Sequence, residues 1–177
     1  MDLLNKYKRM PATGLNYSES LYFRNTPNVF HTYRAYDLFT IAEAGGWFEW
    51  QSMYTTEQFG EWIRANDFSQ TSLEQKLAEI PHRIVPTESG PLRTQTHLAY
   101  WCICASTYLG LDRGSTTSWE DFETLFQLPR RTLSKATGPL EIERDSSGRI
   151  IRKRAEYTAE IDDFFASLEK ALNPEQQ

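Results

Sequence analysis

The basic side chains of this chain are concentrated in one stretch near its C-terminal end. Residues 129–154, PRRTLSKATGPLEIERDSSGRIIRKR, hold eight Lys/Arg and three acidic residues, whereas the whole 177-residue chain has a formal net charge of −5. Clustered cations attract polyanions because they displace the counterions that condense on phosphates. This basic segment on an otherwise acidic body therefore predicts contact with a phosphate-rich partner.

Residues suited to catalysis or metal binding are few and scattered. The three histidines, His31, His82 and His97, lie far apart and have no companions at metal-ligand spacing. Cys102 and Cys104 lack the second cysteine pair of a zinc site, and packing within an apolar segment explains them better. No glycine-rich phosphate loop is present. We therefore expect no enzyme, no bound metal and no cofactor.

Helices are the elements expected to position the basic segment. Apolar residues recur at helical spacing in five stretches that precede it: 33–44, 55–66, 71–80, 94–109 and 118–127. The fourth stretch has few charges, which predicts a helix buried on most sides. Ser118 is expected to cap the fifth helix, with Asp121 in a near capping box. The three prolines and one glycine of 81–93 predict a boundary or a long connection.

The basic segment itself is predicted to form a short helix followed by a hairpin. Pro129 fits the first turn of a helix over 129–137, which Gly138-Pro139 would end. Apolar and β-branched residues on both sides of the polar turn 145–148 indicate a β-hairpin. Residues 158–172 then form an amphipathic helix. The predicted fold class is thus mainly α with a small β-hairpin (α+β), divided into regions 1–90 and 91–177.

The order of the C-terminal elements (helix, short helix, basic hairpin, helix) resembles the winged helix-turn-helix superfamily. The resemblance covers about residues 91–157, and it departs from the usual pattern at Glu123, where a small residue is common, and at Gln127, where glycine is common. It implies a winged-helix-like C-terminal half packed with an aromatic-rich helical N-terminal half. The apolar residues that would lock the helix pair are Phe122, Phe126, Leu128, Leu133 and Ala136.

The resemblance also implies which side chains would contact DNA. The second helix would enter the major groove, where arginine pairs with guanine and Ser, Thr or Lys meet bases or phosphates. The hairpin would be the wing that contacts the flanking backbone or the minor groove. The expected DNA-contacting residues are Arg130, Arg131, Ser134, Lys135 and Thr137 from the helix, and Arg149, Arg152, Lys153 and Arg154 from the wing.

The N-terminal half is dense in aromatic residues, and two interpretations of them stay open. Trp47, Phe48, Trp50, Tyr54 and Trp62 lie within sixteen residues. They can fill a small core, or part of the set can be exposed and bind a protein partner or a second copy, since Trp and Tyr dominate interface hot spots. A homodimer is expected for a transcription factor of this kind, because two recognition helices then meet successive turns of the duplex.

Together these features favour a sequence-specific double-stranded DNA-binding protein, either a transcriptional regulator or a replication or partition factor of a mobile element. The cysteine usage favours a reduced, cytoplasmic location, and no run of about 18 apolar residues predicts a membrane span. The alternative is a non-catalytic protein–protein adaptor or inhibitor. Such a protein would keep the winged-helix scaffold and dock its basic segment on an acidic protein or an RNA–protein complex.

Overall fold

The chain is mainly helical, with two small antiparallel strand pairs, as the predicted α+β class requires. The structure is a computed structural model that describes residues 27–52, 54–65, 82–111 and 117–172. The predicted helix at 71–80 lies outside the described residues. In chain order the elements are α1 (Tyr33–Ala44), β1 (Phe48–Ser52), α2 (Thr56–Ala65), β2 (His82–Pro86), α3 (Gln95–Leu109), α4 (Trp119–Phe126), α5 (Thr132–Lys135), β3 (Glu143–Arg144), β4 (Ile150–Arg152) and α6 (Ala155–Leu172), with single 3-10 turns at Asn28–Phe30 and Gly138–Leu140.

The two N-terminal helices begin at side-chain caps. Thr32 Oγ1 accepts a hydrogen bond from the Ala35 amide at 3.1 Å at the start of α1, and Gly46 leaves that helix with a φ of 82°. At the start of α2, Thr55 Oγ1 accepts from the Gln58 amide at 3.2 Å, and Gln58 Oε1 accepts from the Thr55 amide at 3.0 Å. This reciprocal pair is a capping box.

Two strands form a sheet that the sequence pattern does not predict. β2 falls inside 81–93 and pairs antiparallel with β1, from Phe48 opposite Pro86 to Ser52 opposite His82. Five residues of the predicted boundary or long connection are therefore an ordered strand. Pro86 does not prevent the pairing because both strands of a two-stranded sheet are edge strands, where a missing N–H is tolerated.

One hydrophobic core joins the described residues on both sides of residue 90. Phe48 of β1 stacks on Phe126 of α4, with 5.5 Å between ring centroids, and meets Trp101 of α3 edge-on at 4.9 Å. Phe30 and Phe122 make a similar edge contact at 5.1 Å. The two predicted regions thus pack together, and the division of the chain at residue 90 stays a prediction.

The helix α3 lies at the centre of this core. It packs against α6, α5 and the second 3-10 turn, and the predicted burial on most of its sides is confirmed. Thr94 caps its start, and Gly110, with a φ of 70°, ends it. Cys102 is fully buried and Cys104 is partly buried, and the two do not form a disulfide, which agrees with their predicted role in packing.

The next helix, α4, starts after Ser118 as predicted, but its capping box does not form. The Ser118 hydroxyl donates to the Leu111 carbonyl at 2.7 Å and makes no cap with the helix amides. The hydroxyl that was expected to cap α4 therefore binds the backbone of the loop that follows α3. Further along, α6 begins at Ala155, three residues before the predicted start, and buries the predicted apolar face through Ile161 and Leu168.

His97 links the first turn of α3 to α6. A short hydrogen bond joins its Nδ1 to Thr94 Oγ1, and its ring centroid lies 5.3 Å from that of Tyr157. Partial burial lowers the pKa of His97, and the charge of Arg93 adds to this effect, whereas Glu160 of α6 opposes it. The neutral imidazole is also the form whose Nδ1 can accept from the threonine hydroxyl.

This arrangement predicts an acid-sensitive contribution to stability. Because the folded-state pKa of His97 lies below its ordinary value of 6.5, the contribution is present above that pH and is lost as the pH falls below it. Protonation of His97 also destabilises the fold because it places a positive charge in the first turn of α3, at the positive end of the helix dipole. We expect His97→Gln to reduce the loss of unfolding free energy between pH 7 and pH 5, measured by urea denaturation. An unchanged pH dependence in this variant would contradict the assignment.

Candidate nucleic-acid interface

The helix pair α4–α5 is locked by the residues that the sequence indicates. Phe122, Phe126 and Leu133 are buried, while Leu128 and Ala136 are partly buried against the same core. The two helices therefore pack against each other through the apolar residues that the sequence spacing predicted. This packing also fixes where the turn between them must lie.

Glu123, the first departure from the helix-turn-helix pattern, is part of this lock. Its side chain is buried, and its Oε2 accepts a hydrogen bond from the Leu133 amide of α5 at 3.0 Å. Amides in the first turn of a helix have no partner inside the helix, so a carboxylate satisfies one of them. A small residue at position 123 would pack the two helices but leave this buried amide without that acceptor.

Gln127, the second departure, ends α4 in the left-handed conformation. Its φ is 56° and its ψ is 47°, and its side chain is exposed. The chain closes behind it through a hydrogen bond of 2.8 Å from the Leu128 amide to the Glu123 carbonyl. Glycine adopts this conformation at the lowest cost, which explains why it is common at this point of the pattern.

The second helix is shorter than predicted, and it starts later. Because α5 spans only Thr132–Lys135 and Arg131 precedes it with a φ of 71°, Arg130 and Arg131 lie in the turn. The prediction that these two arginines project from the helix is wrong. The Pro129 carbonyl accepts from the amide and the hydroxyl of Thr132, at 3.2 Å and 2.6 Å, and thereby forms a tight turn in place of the first helical turn.

The basic side chains of this turn and helix differ in their partners. Arg130 forms an ion pair with Glu120 of α4, and both side chains are largely exposed, at 80% and 70%. An exposed pair of this kind contributes only about 0–1 kcal/mol and can open for another anion. Arg131 and Lys135 are exposed and have no ion pair with any residue that the structure describes.

The hydroxyl groups near α5 are turned back toward the backbone. Ser134 Oγ donates to the Arg131 carbonyl at 3.3 Å, and Thr137 Oγ1 donates to the Ser134 carbonyl at 2.8 Å. Both side chains are partly buried. Their oxygens could still accept a hydrogen bond, but their protons are already used within the protein.

The predicted hairpin forms, and it is tied to the helices at both of its ends. β3 pairs antiparallel with β4, with an irregularity between Glu143 and Arg144. Arg144 donates to the Gly148 carbonyl at 2.8 Å and to Thr117 Oγ1, just before α4, at 3.5 Å. At the other end, the Arg154 amide donates to the Leu140 carbonyl of the second 3-10 turn at 2.9 Å. These ties give the hairpin a fixed place beside the helix pair.

The tip of the hairpin is organised by Asp145. Its Oδ1 accepts from the amide and hydroxyl of Ser147, at 2.9 Å and 2.7 Å, and from the Arg149 amide at 2.9 Å. The hydrogen bonds from Ser147 and then Arg149 lower the pKa of this carboxyl. Arg149 is exposed and has no ion pair among the described residues, whereas Arg152 pairs across the strands with Glu143 at 3.4 Å.

Lys153 is about one-third exposed, and its ammonium is bound to side chains of α3 and α6. Its Nζ donates to Asp162 Oδ2 of α6 at 2.5 Å and to the Tyr100 hydroxyl of α3 at 2.7 Å. Burial, with neighbouring Cys104 and Asp162, raises the pKa of Tyr100, so its phenol stays protonated and donates to Asp162 Oδ1 at 2.7 Å. The predicted phosphate contact of Lys153 therefore conflicts with its position: the ammonium already joins three elements of the fold.

The last residue of the predicted contact set, Arg154, is held by α6. It forms an ion pair with Glu156, and its guanidinium carbon lies 5.3 Å from the ring centroid of Tyr157. Three of the acids that neutralise the basic segment, Glu120, Glu156 and Asp162, come from outside it. A count of charges along the sequence cannot show such pairing, because the acids are brought in by the folding of α4 and α6.

The N-terminal aromatic residues mainly serve the core. Trp47 and Phe48 are buried, which confirms the core interpretation for these two, and Trp50 packs against the same core in part. Tyr54 and Tyr33 are exposed at 36% and 46%. A partner or self-association surface in this half stays a prediction.

Comparisons with known proteins add no assignment. No protein-family model, curated protein or solved structure matches the chain. Within the described ranges, no group of three or more His, Cys, Asp or Glu is placed to hold a metal ion. None of the helices in this part of the chain combines the length and the apolar character needed to cross a membrane. The relation to winged-helix proteins stays a prediction.

The position of Lys153 predicts that it serves stability. We expect Lys153→Met to lower the unfolding free energy by about 1–2 kcal/mol, between the effects of breaking an exposed and a buried pair, because Asp162 then loses its cation. Chemical denaturation measures this change. Arg152→Met is the matched control: its side chain is 81% exposed, and we expect a change within about 0.5 kcal/mol. Equal effects in the two variants would contradict the assignment.

Proposed function

We propose that the protein binds double-stranded DNA through the turn before α5, α5 itself and the β3–β4 hairpin, and that it serves as a transcriptional regulator or as a replication or partition factor of a mobile element. The observation that carries this proposal is the exposure of three cations, Arg131, Lys135 and Arg149, with no ion pair among the described residues. Phosphates would give these cations the direct ion pairs that they do not form with described residues.

The arrangement of the surrounding elements supports this proposal. A packed helix pair is followed by a hairpin that is hydrogen-bonded to Thr117 and Leu140. The basic side chains therefore lie on ordered secondary structure. Phosphate contacts on such elements would position the protein on the duplex. The acidic remainder of the chain would limit binding to one face.

Two arginines that form ion pairs within the protein can provide further contacts with phosphates. Arg130 and Arg152 are about 80% exposed while they pair with Glu120 and Glu143. Because exposed ion pairs are weak, a phosphate that offers two oxygens to a guanidinium can replace the carboxylate. The three unpaired cations would thus make the first contacts, and these arginines would add to them at close approach.

The same pairs favour the adaptor as the second candidate function. Arg130, Arg152 and Arg154 already bind carboxylates of the protein itself, which is the chemistry that an acidic partner protein would offer. Next to them, Ile151 exposes 58% of its surface on the hairpin and would add an apolar contact to such an interface. An adaptor of this kind would bind an acidic surface and leave duplex DNA free.

Charge reversal at the unpaired cations tests the proposal. We expect the double variant Arg131→Glu/Lys135→Glu to bind a fluorescent duplex at least roughly tenfold more weakly than wild type at low salt, since two favourable phosphate contacts become repulsive. The matched control, Arg64→Glu/Arg93→Glu, changes the net charge equally at exposed positions outside the basic segment. It should retain most of the affinity.

Three outcomes would contradict the proposal in different ways. Wild-type affinity in the double variant would remove the turn and α5 from the interface. Equal weakening in both double variants would mean that binding follows net charge rather than this face. Absence of duplex binding by the wild-type protein at low salt would favour the adaptor.

A further inference from the structure

Three residues other than glycine adopt the left-handed backbone conformation in the described chain: two precede α5, and the third follows the second 3-10 turn. They are Gln127, Arg131 and Glu141, with φ values of 56°, 71° and 51°. A side chain in this conformation costs about 1–2 kcal/mol, which glycine avoids. Strained backbone of this kind clusters at functional sites.

Backbone hydrogen bonds hold the two ends of the α4–α5 turn: the Gln127 amide donates to the Thr124 carbonyl at 3.2 Å, and the Arg131 carbonyl accepts from the Lys135 amide at 3.0 Å. Gln127 and Arg131 are exposed, and their side chains make no hydrogen bond or ion pair with any residue that the structure describes. The amide and the guanidinium are therefore held toward solvent at positions where glycine would fold more easily. Both side chains are therefore available for contact with a binding partner.

α5 itself offers little for the recognition of bases. It is four residues long, Leu133 is buried, and the protons of Ser134 and Thr137 are donated to backbone carbonyls. Arg130 is also exposed but is paired with Glu120. The exposed donors of this region that have no ion pair or side-chain hydrogen bond among the described residues are therefore the Gln127 amide, the Arg131 guanidinium and the Lys135 ammonium.

We infer that the turn at residues 127–131, and not α5, determines which duplex sequence the protein prefers. This inference rests on the proposed DNA binding. Arg131 has the donor fork that fits the O6 and N7 atoms of guanine, and Gln127 has the amide that fits the N6 and N7 atoms of adenine. Lys135, a compact charge without such geometry, contacts phosphates and contributes affinity without preference.

The test uses duplexes selected by the wild-type protein from a randomised library. The measured quantity is the ratio of affinities for an enriched duplex and a random duplex. We expect Gln127→Gly and Arg131→Gly each to reduce this ratio roughly 5- to 100-fold, the value of one bidentate base contact. Their melting temperatures should be no lower than that of wild type and up to about 4 °C higher, because glycine removes the strain.

Three further variants separate base recognition from charge and from folding. Arg131→Lys keeps the charge but loses the fork, so the affinity for random duplex should persist while the ratio falls. Lys135→Gln should weaken both duplexes alike and leave the ratio unchanged. Glu141→Gly removes the same kind of strain beyond α5, and it should likewise leave the ratio unchanged.

The outcomes distinguish this inference from the proposed function. If Gln127→Gly and Arg131→Gly keep the wild-type ratio, the turn does not read bases and the inference is wrong. If wild type binds random duplexes but enriches none, the inference is wrong and DNA binding stands. If wild type binds no duplex, both are wrong.

Discussion

The helix α3 has to be covered on nearly every side, because nine of its fifteen residues are buried. Phe48 of β1 and Phe165 of α6 both pack against Trp101 of α3, so β1 and α6 each cover part of this helix. The same packing places the basic segment: α5 and the second 3-10 turn contact α3, and Lys153 ties the end of the hairpin to Tyr100. The burial of one apolar helix, rather than attraction among charges, thus determines where the candidate interface lies.

Folding changes the electrostatic character of the basic segment. By sequence it is a dense block of positive charge, but four of its cations pair with carboxylates, three of which lie outside the segment. A buried acid, Glu123, is used in the same region to hold α5. The surface that results carries a few separate cations on an acidic protein, which suits docking by one face and a binding affinity that depends on ionic strength.

The sequence predicted the elements whose signals are local. Apolar periodicity identified the helices that begin near Tyr33, Thr56, Gln95 and Trp119, and a polar turn identified the hairpin. The β1–β2 pair was missed because its strands lie 29 residues apart in sequence and their pairing leaves no local pattern. The position of Lys153 was missed for a related reason, because its partners Tyr100 and Asp162 come near only in the folded chain. The left-handed turn at Arg131 is built from the neighbouring Pro129 and Thr132, and no residue pattern in that stretch indicated it.

The most direct test of the account is the salt dependence of duplex binding by the wild-type protein. Fluorescence anisotropy with a random-sequence duplex, repeated over a series of salt concentrations, gives the slope of log affinity against log salt. The three unpaired cations, together with up to two contacts from Arg130 and Arg152, predict about three to five neutralised phosphates and therefore a slope between about −2.7 and −4.5. Affinity that does not change with salt, or no binding at the lowest salt concentration, would contradict the assignment of this surface to DNA.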